Sequence, residues 1–255
     1  MDELDKVEQL QAANYRTARG VLGETTGLVE DLVQLYQLLL DLIEESKLPP
    51  RDEVVACAQF LAACRCQLTL SALSALRGQL SDSFFFSRKA IELCAFAARV
   101  KNHPHLGLEW LQAWHDPEAY ERFRKKFSVG KLFPEDHELL GRLYDRYDFS
   151  SKFVHPSFFS LGRHIEVVRG QTHFRLNFNY SALKDEDLSE PAGTFLWIAD
   201  THFGIIRVFE DIFKAAVAYN DARWQVHRNA VDAKITIHKL RWRPILLSAE
   251  GRQNS

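Results

Sequence analysis

Apolar residues recur at helical spacing along most of this 255-residue chain, and prolines mark where the pattern stops. In a segment from about residue 4 to 46, Val29, Leu32, Val33, Tyr36, Leu39, Leu40 and Ile43 form one stripe. That spacing predicts a helix buried on one face, interrupted near Gly23 to Gly27 and ended by Pro49 and Pro50. The same pattern predicts helices over 52–76 and 81–102, the latter capped by Ser81 or Ser83, and shorter ones over 106–114 and 117–127. A further helix starts after Phe133 with Pro134 in its first turn and ends before Pro156. Between 163 and 180 the period falls to two, around Arg169-Gly170-Gln171, which predicts a β-hairpin. A polar linker over 181–190 then leads into a long helix from Pro191 to about Arg223. Residues 225–244 fit either a helix or a strand around Ile235 to Trp242. The expected fold class is mainly α: an antiparallel helical bundle with short helical insertions and one β-hairpin (about 163–180). It is expected to form one domain over 1–255, with a basic C-terminal extension from about 225.

Composition removes several functions. The chain is 46% hydrophobic, enough for a large core. Its 32 Lys and Arg balance 34 Asp and Glu, so no global field draws it to nucleic acid or an anionic membrane. The amino terminus, MDELDKVEQLQ, lacks a secretory apolar run, and the expected location is the cytoplasm. Cys57, Cys64, Cys66 and Cys94 lie in segments rich in Ala, Leu and Phe and are expected to be buried, reduced thiols. The longest apolar run, Val54 to Leu76, approaches membrane length but carries Gln59, Arg65 and Gln67, so it is expected to be a core helix and no membrane partner is expected.

The segment YDRYDFSSKFVHPS places chemistry on a helix face. Leu140, Tyr144, Tyr147, Ser151 and His155 follow at steps of four, three, four and four, so Ser151 and His155 inherit the buried direction. On the helix over 81–102, Arg88 and Glu92 share a face among apolar neighbours. A buried serine and histidine need partners, which Arg88 and Glu92 could supply. An imidazole held by a carboxylate is one form of general acid or base, and a nearby guanidinium steadies a phosphate or oxyanion. The catalytic candidates are therefore Arg88, Glu92, Ser151 and His155. The competing account makes His155 a C-terminal cap before Pro156.

Arg88, Glu92, Tyr147, Ser151, His155, Pro156 and Ser157, in the order R-x-x-x-E and then Y-x-x-x-S-x-x-x-H-P-S, resemble uncharacterised bacterial helical proteins related to the HEPN superfamily, which includes abortive-infection and toxin proteins. The resemblance covers roughly residues 81–160. It implies an antiparallel helical bundle, often a dimer, and in active branches metal-independent RNA cleavage by an Arg and a His spaced four to six residues apart. Here Arg146 and His155 have eight residues between them; Arg99 and His105 have the right gap, but His103-Pro104 interrupts it.

Other chemistries find no motif. Paired Glu-x-x-His ligands, a Gly-rich phosphate loop and a dinucleotide fingerprint are missing from the sequence, and no cofactor or metal is expected; His103, His105 and His115 flank a loop. Asp200 and His202 point about 200° apart on a helix, so they are not expected to pair, although either could face the core. In the tail, Arg223, His227, Arg228, Lys234, His238, Lys239, Arg241 and Arg243 interleave with Trp224 and Trp242. Such a segment could guide RNA, or it could pack its tryptophans on the bundle or on a second subunit in a homodimer. Two functions remain: a regulatory or binding protein with a polar cluster, and a HEPN-like endoribonuclease.

Overall fold

The computed structural model describes residues 2–113, 115–126, 132–133, 138–154, 165–169, 174–178 and 189–253. The fold is mainly α, a helical bundle. The chain opens with α1 (Glu3–Leu22), whose start is fixed by a reciprocal cap: Asp2 accepts the Asp5 N–H at 2.8 Å while Asp5 accepts from the Asp2 N–H. Gly23, at φ 50°, ends it, and a 3-10 turn over Gly23–Thr26 leads into α2 (Gly27–Glu45). Then come α3 (Asp52–Leu76), α4 (Leu80–Asn102), α5 (His105–Gln112), α6 (Pro117–Lys126) and α7 (Glu138–Val154).

The contact between α3 and α4 sets the centre of the bundle. Cys57 donates to the Ala97 carbonyl (3.4 Å), Cys64 to the Ala90 carbonyl (3.3 Å) and Ser71 to the Ser83 carbonyl (2.7 Å). Each step is seven residues on both helices, in opposite directions, so α3 and α4 run antiparallel in register. Small side chains at these positions let the backbones approach closely enough for a thiol or hydroxyl to reach across. Ser71 also shares its hydroxyl with Ser87 at 2.7 Å, and all three serines are fully buried. Ser83 thus lies inside α4 rather than capping it, and so does Ser81; α4 begins after Gln79. Cys57, Cys64 and Cys94 are buried free thiols, but Cys66, two residues past the seam's Cys64 and so on the far side of the helix, is exposed.

By length and composition α3 could cross a bilayer. Here it buries Phe60, Leu61, Cys64, Leu68 and Ala72. Its start is crossed closely by α5: a Cβ on Gly107 would stand 2.6 Å from the Glu53 Cα, so only glycine fits there.

The segment with period two contains β1 (Ile165–Arg169) and β2 (Phe174–Phe178), paired antiparallel with Ile165 opposite Phe178 and Arg169 opposite Phe174. The connection that would close them into a hairpin lies outside the described residues.

The expected helix from Pro191 to Arg223 is three helices: α8 (Ser189–Ile212), α9 (Lys214–Tyr219) and α10 (Asp221–Gln253). Lys101 of α4 takes the Ile212 carbonyl at 3.1 Å, supplying a partner where α8 stops, and Asn220 leaves helical geometry at φ −143°. No sequence signal marks a lysine four elements away. The tail that fitted either helix or strand is α10, 33 residues and about 50 Å long. It docks through Trp224, Arg228, Val231, Ile235, His238 and Trp242, alternately four and three residues apart; Trp224 and Trp242 are buried. Trp242 donates to Thr25 of the 3-10 turn at 2.9 Å, and His238 meets the same hydroxyl at 3.0 Å. Around this seam α10 forms ion pairs with the bundle: Arg223 with Glu45, Arg228 with Glu210 and Lys234 with Asp31.

Candidate functional site

The inward face of α7 is turned by one residue from the expected one. Leu140, Leu143, Tyr147, Ser150 and Phe153 are buried, whereas Tyr144 is 46% exposed and Ser151 half-buried. Both stripes satisfy helical spacing; packing chose the one carrying Leu143, because α8 and α4 flank α7 on that side. Ser150 and Ser151 donate to the same Tyr147 carbonyl, at 2.9 and 2.7 Å. The hydroxyl hydrogen of Ser151 is therefore spent inside its own helix. His155 lies outside the described residues.

Arg88, Glu92 and Tyr147 do come together. The Arg88 Nε lies 3.3 Å from a Glu92 carboxylate oxygen, and its Nη2 donates to the Tyr147 hydroxyl at 2.8 Å. The guanidinium carbon sits 4.7 Å from the Tyr147 ring centroid, a cation–π contact between α4 and α7. Burial raises the Tyr147 phenol above its ordinary range, opposed by the hydrogen bond and charge of Arg88. With its guanidinium held by the Tyr147 hydroxyl and the Glu92 carboxylate, and Glu92 itself interacting with the phenol, Arg88 makes a bracket between α4 and α7.

A second polar cluster, assembled from α7, α8 and α10, is open. Arg146 donates to the Thr201 hydroxyl at 3.0 Å and pairs with Asp200, whose other oxygen pairs with Lys239. Arg146, Asp200 and Lys239 line a groove of about 390 Å³ together with Arg243, Leu196, Trp197 and Leu246. Two cations thus meet one carboxylate above an apolar floor, and a third lines the same groove. Trp197 in turn packs edge-on against Phe84 at 4.9 Å, which fixes that floor to α4. Sequence spacing marks Arg146 only through its distance from His155; its pairing with Asp200 and Lys239 joins residues far apart in the chain, and nothing local signals it.

A third cluster is sealed. His202 is fully buried, its Nδ1 3.0 Å from the equally buried Tyr36 hydroxyl, while its Nε2 meets no hydrogen-bond partner. Burial drives His202 down to about 3 and Tyr36 well above its ordinary value, so both are neutral at physiological pH. Asp200 and His202 do face different ways, one to the groove and one to the core.

A larger cavity of about 800 Å³ beside α8, α9 and α10 is lined by Glu138, Glu210, Asp211 and Asp221 against Arg207 and Lys214. There Glu210 is taken by Arg207 at 2.7 Å and by Arg228 at 2.9 Å. Among the described residues, no three His, Cys, Asp or Glu gather in a way that would hold a metal ion. Comparison with protein-family models, curated proteins and solved structures found no match.

Proposed function

We propose that this is a cytosolic binding or regulatory protein without catalytic chemistry of its own, and that it holds a small anionic ligand in the groove between α7, α8 and α10. The observation that carries this is the convergence of Arg146 and Lys239 on one carboxylate, Asp200, in a groove that Arg243 also lines, above Leu196, Trp197 and Leu246. A net positive groove with an aromatic and aliphatic floor suits a phosphate-bearing ligand with an apolar or planar body. The candidate residues Arg88 and Glu92 then serve as a bracket to Tyr147, and Ser151 as part of its own helix.

Isothermal titration with pyrophosphate tests the proposal. Wild-type protein binds, with affinity falling as salt rises, and Arg243→Glu weakens binding at least about tenfold, the loss expected when one charged hydrogen bond is replaced by repulsion. No heat of binding, or equal binding by the variant, overturns it. Incubation with total RNA without divalent metal separates the alternative: cleavage that disappears in His155→Ala would replace this proposal with a HEPN-like endoribonuclease.

A further inference from the structure

The outer face of α10 carries a second apolar seam. Val226, Ala230, Ala233, Ile237, Leu240 and Pro244 are all exposed, and they repeat at steps of four and three. Each lies two residues beyond a member of the buried seam, about 200° further round the helix. Val226 is 67% exposed and Ile237 and Leu240 are each 61% exposed. A strict repeat of this kind sustained over 19 residues is the pattern by which one helix packs against another.

The residues beside the stripe say what kind of helix fits. His227, Lys234 and Arg241 flank one edge, and Asn229, Thr236 and Arg243 the other, with no carboxylate among them. Lys234 and Arg241 pair with Asp31 and Glu24 at the bundle surface, yet they stay 52% and 53% exposed, so their outer sides remain open to a partner. A second copy of this chain would set cation against cation: antiparallel pairing about the stripe's centre places Lys234 opposite Lys234 and Arg241 opposite His227. A lipid surface favours a broad apolar face, whereas this stripe is about 80° wide, holds alanine at two positions and is bordered directly by charge.

We propose that the outward stripe of α10 docks an amphipathic helix of another protein, whose apolar heptad positions are flanked by Asp and Glu. The small residues Ala230 and Ala233 give the partner a close approach at one half of the stripe, and Ile237 and Leu240 fill the spaces between its side chains at the other. The apolar stripe itself lies outside the ligand groove, since Ile237 and Leu240 do not line it, and Arg243 stands on the border between the two.

The test is fluorescence anisotropy with a labelled three-heptad peptide carrying Leu at the seam positions and Glu beside them, against a twin with Lys in place of Glu. The full chain binds the acidic peptide at least about tenfold tighter than its twin, and the preference shrinks as salt rises from about 50 to about 300 mM. Ile237→Glu combined with Leu240→Glu abolishes binding while leaving the circular dichroism and melting curve unchanged, because both side chains point to solvent. Equal binding of the two peptides, or unaltered binding by the double variant, overturns the proposal. So does light scattering that shows a dimer dissolved by the same double variant, or sedimentation with phosphatidylglycerol vesicles in the absence of peptide binding.

Discussion

Two helix contacts in this protein use the same arithmetic and opposite chemistry. The α3–α4 seam is built from Cys57, Cys64 and Ser71 bonding to carbonyls of the facing helix, without a charge in it. The α10 seam is built from Trp224, Val231, Ile235 and Trp242, with ion pairs around the edge. Small residues bring two backbones together and leave no room for anything larger. Large residues hold two helices further apart, and charged side chains then close the gap at the rim. The first contact is intolerant of added volume; the second is intolerant of lost volume.

The comparison is most severely tested at Trp224. Trp224→Ala removes one of the two tryptophans of the α10 seam from a fully buried site and costs about 3–5 kcal/mol in urea denaturation. A loss under 1 kcal/mol would mean that the rim pairs, not the apolar seam, hold α10. At the other contact, Cys64→Leu overpacks the α3–α4 interface and costs about 1–3 kcal/mol, whereas Cys66→Leu, on the exposed side, changes stability by no more than about 0.5 kcal/mol. Equal effects at 64 and 66 would show that the seam is looser than its hydrogen bonds indicate.

Acid distinguishes the two halves without mutation. The α3–α4 thiols are held above their ordinary range by burial, Cys57 at about 12, so nothing there titrates below neutrality. His202, between α2 and α8, has its folded value at about 3 against 6.5 in the unfolded chain. The unfolded state takes up the proton first, so the contribution is complete above about pH 6.5 and is lost as pH falls towards 3. At pH 5 the loss from this group is about 2 kcal/mol. His238 adds to it in the same direction, being held below its ordinary range by burial and then by Arg241. Denaturation at pH 7 and pH 5 should show this difference, and His202→Asn should shrink it by about 2 kcal/mol; an unchanged pH dependence in the variant would remove His202 from the account. At the rim the effect is small: Lys234→Ala loses a half-exposed pair and costs no more than about 1 kcal/mol, less in high salt.

Most of the helices could be read from residue spacing, because a buried stripe imposes its period on the sequence wherever it runs. Pro49, Pro50 and Pro104 also mark ends that the structure respects. The break after Ile212 could not be read, since it depends on Lys101 reaching the carbonyl from α4. The same holds for the site. Arg88 and Glu92 were legible as a pair because they stand four residues apart on one helix. Ser150 rather than Ser151 faces inward because two stripes on α7 fit the period, and only the neighbours select one. The Arg146–Asp200–Lys239 cluster and the Tyr36–His202 pair join α7, α8 and α10, and α2 and α8, at separations no local pattern records.

By itself the sequence determined that the chain makes helices, roughly where they start, and which residues are apolar enough to need a neighbour. Tertiary structure alone decided which neighbour each one found. Helix formation is governed by residues within a turn or two of one another, whereas burial, pairing and protonation depend on what another helix brings to the same place. On α10 the two levels meet, for one helix carries two apolar seams and only packing determined which of them was left facing water.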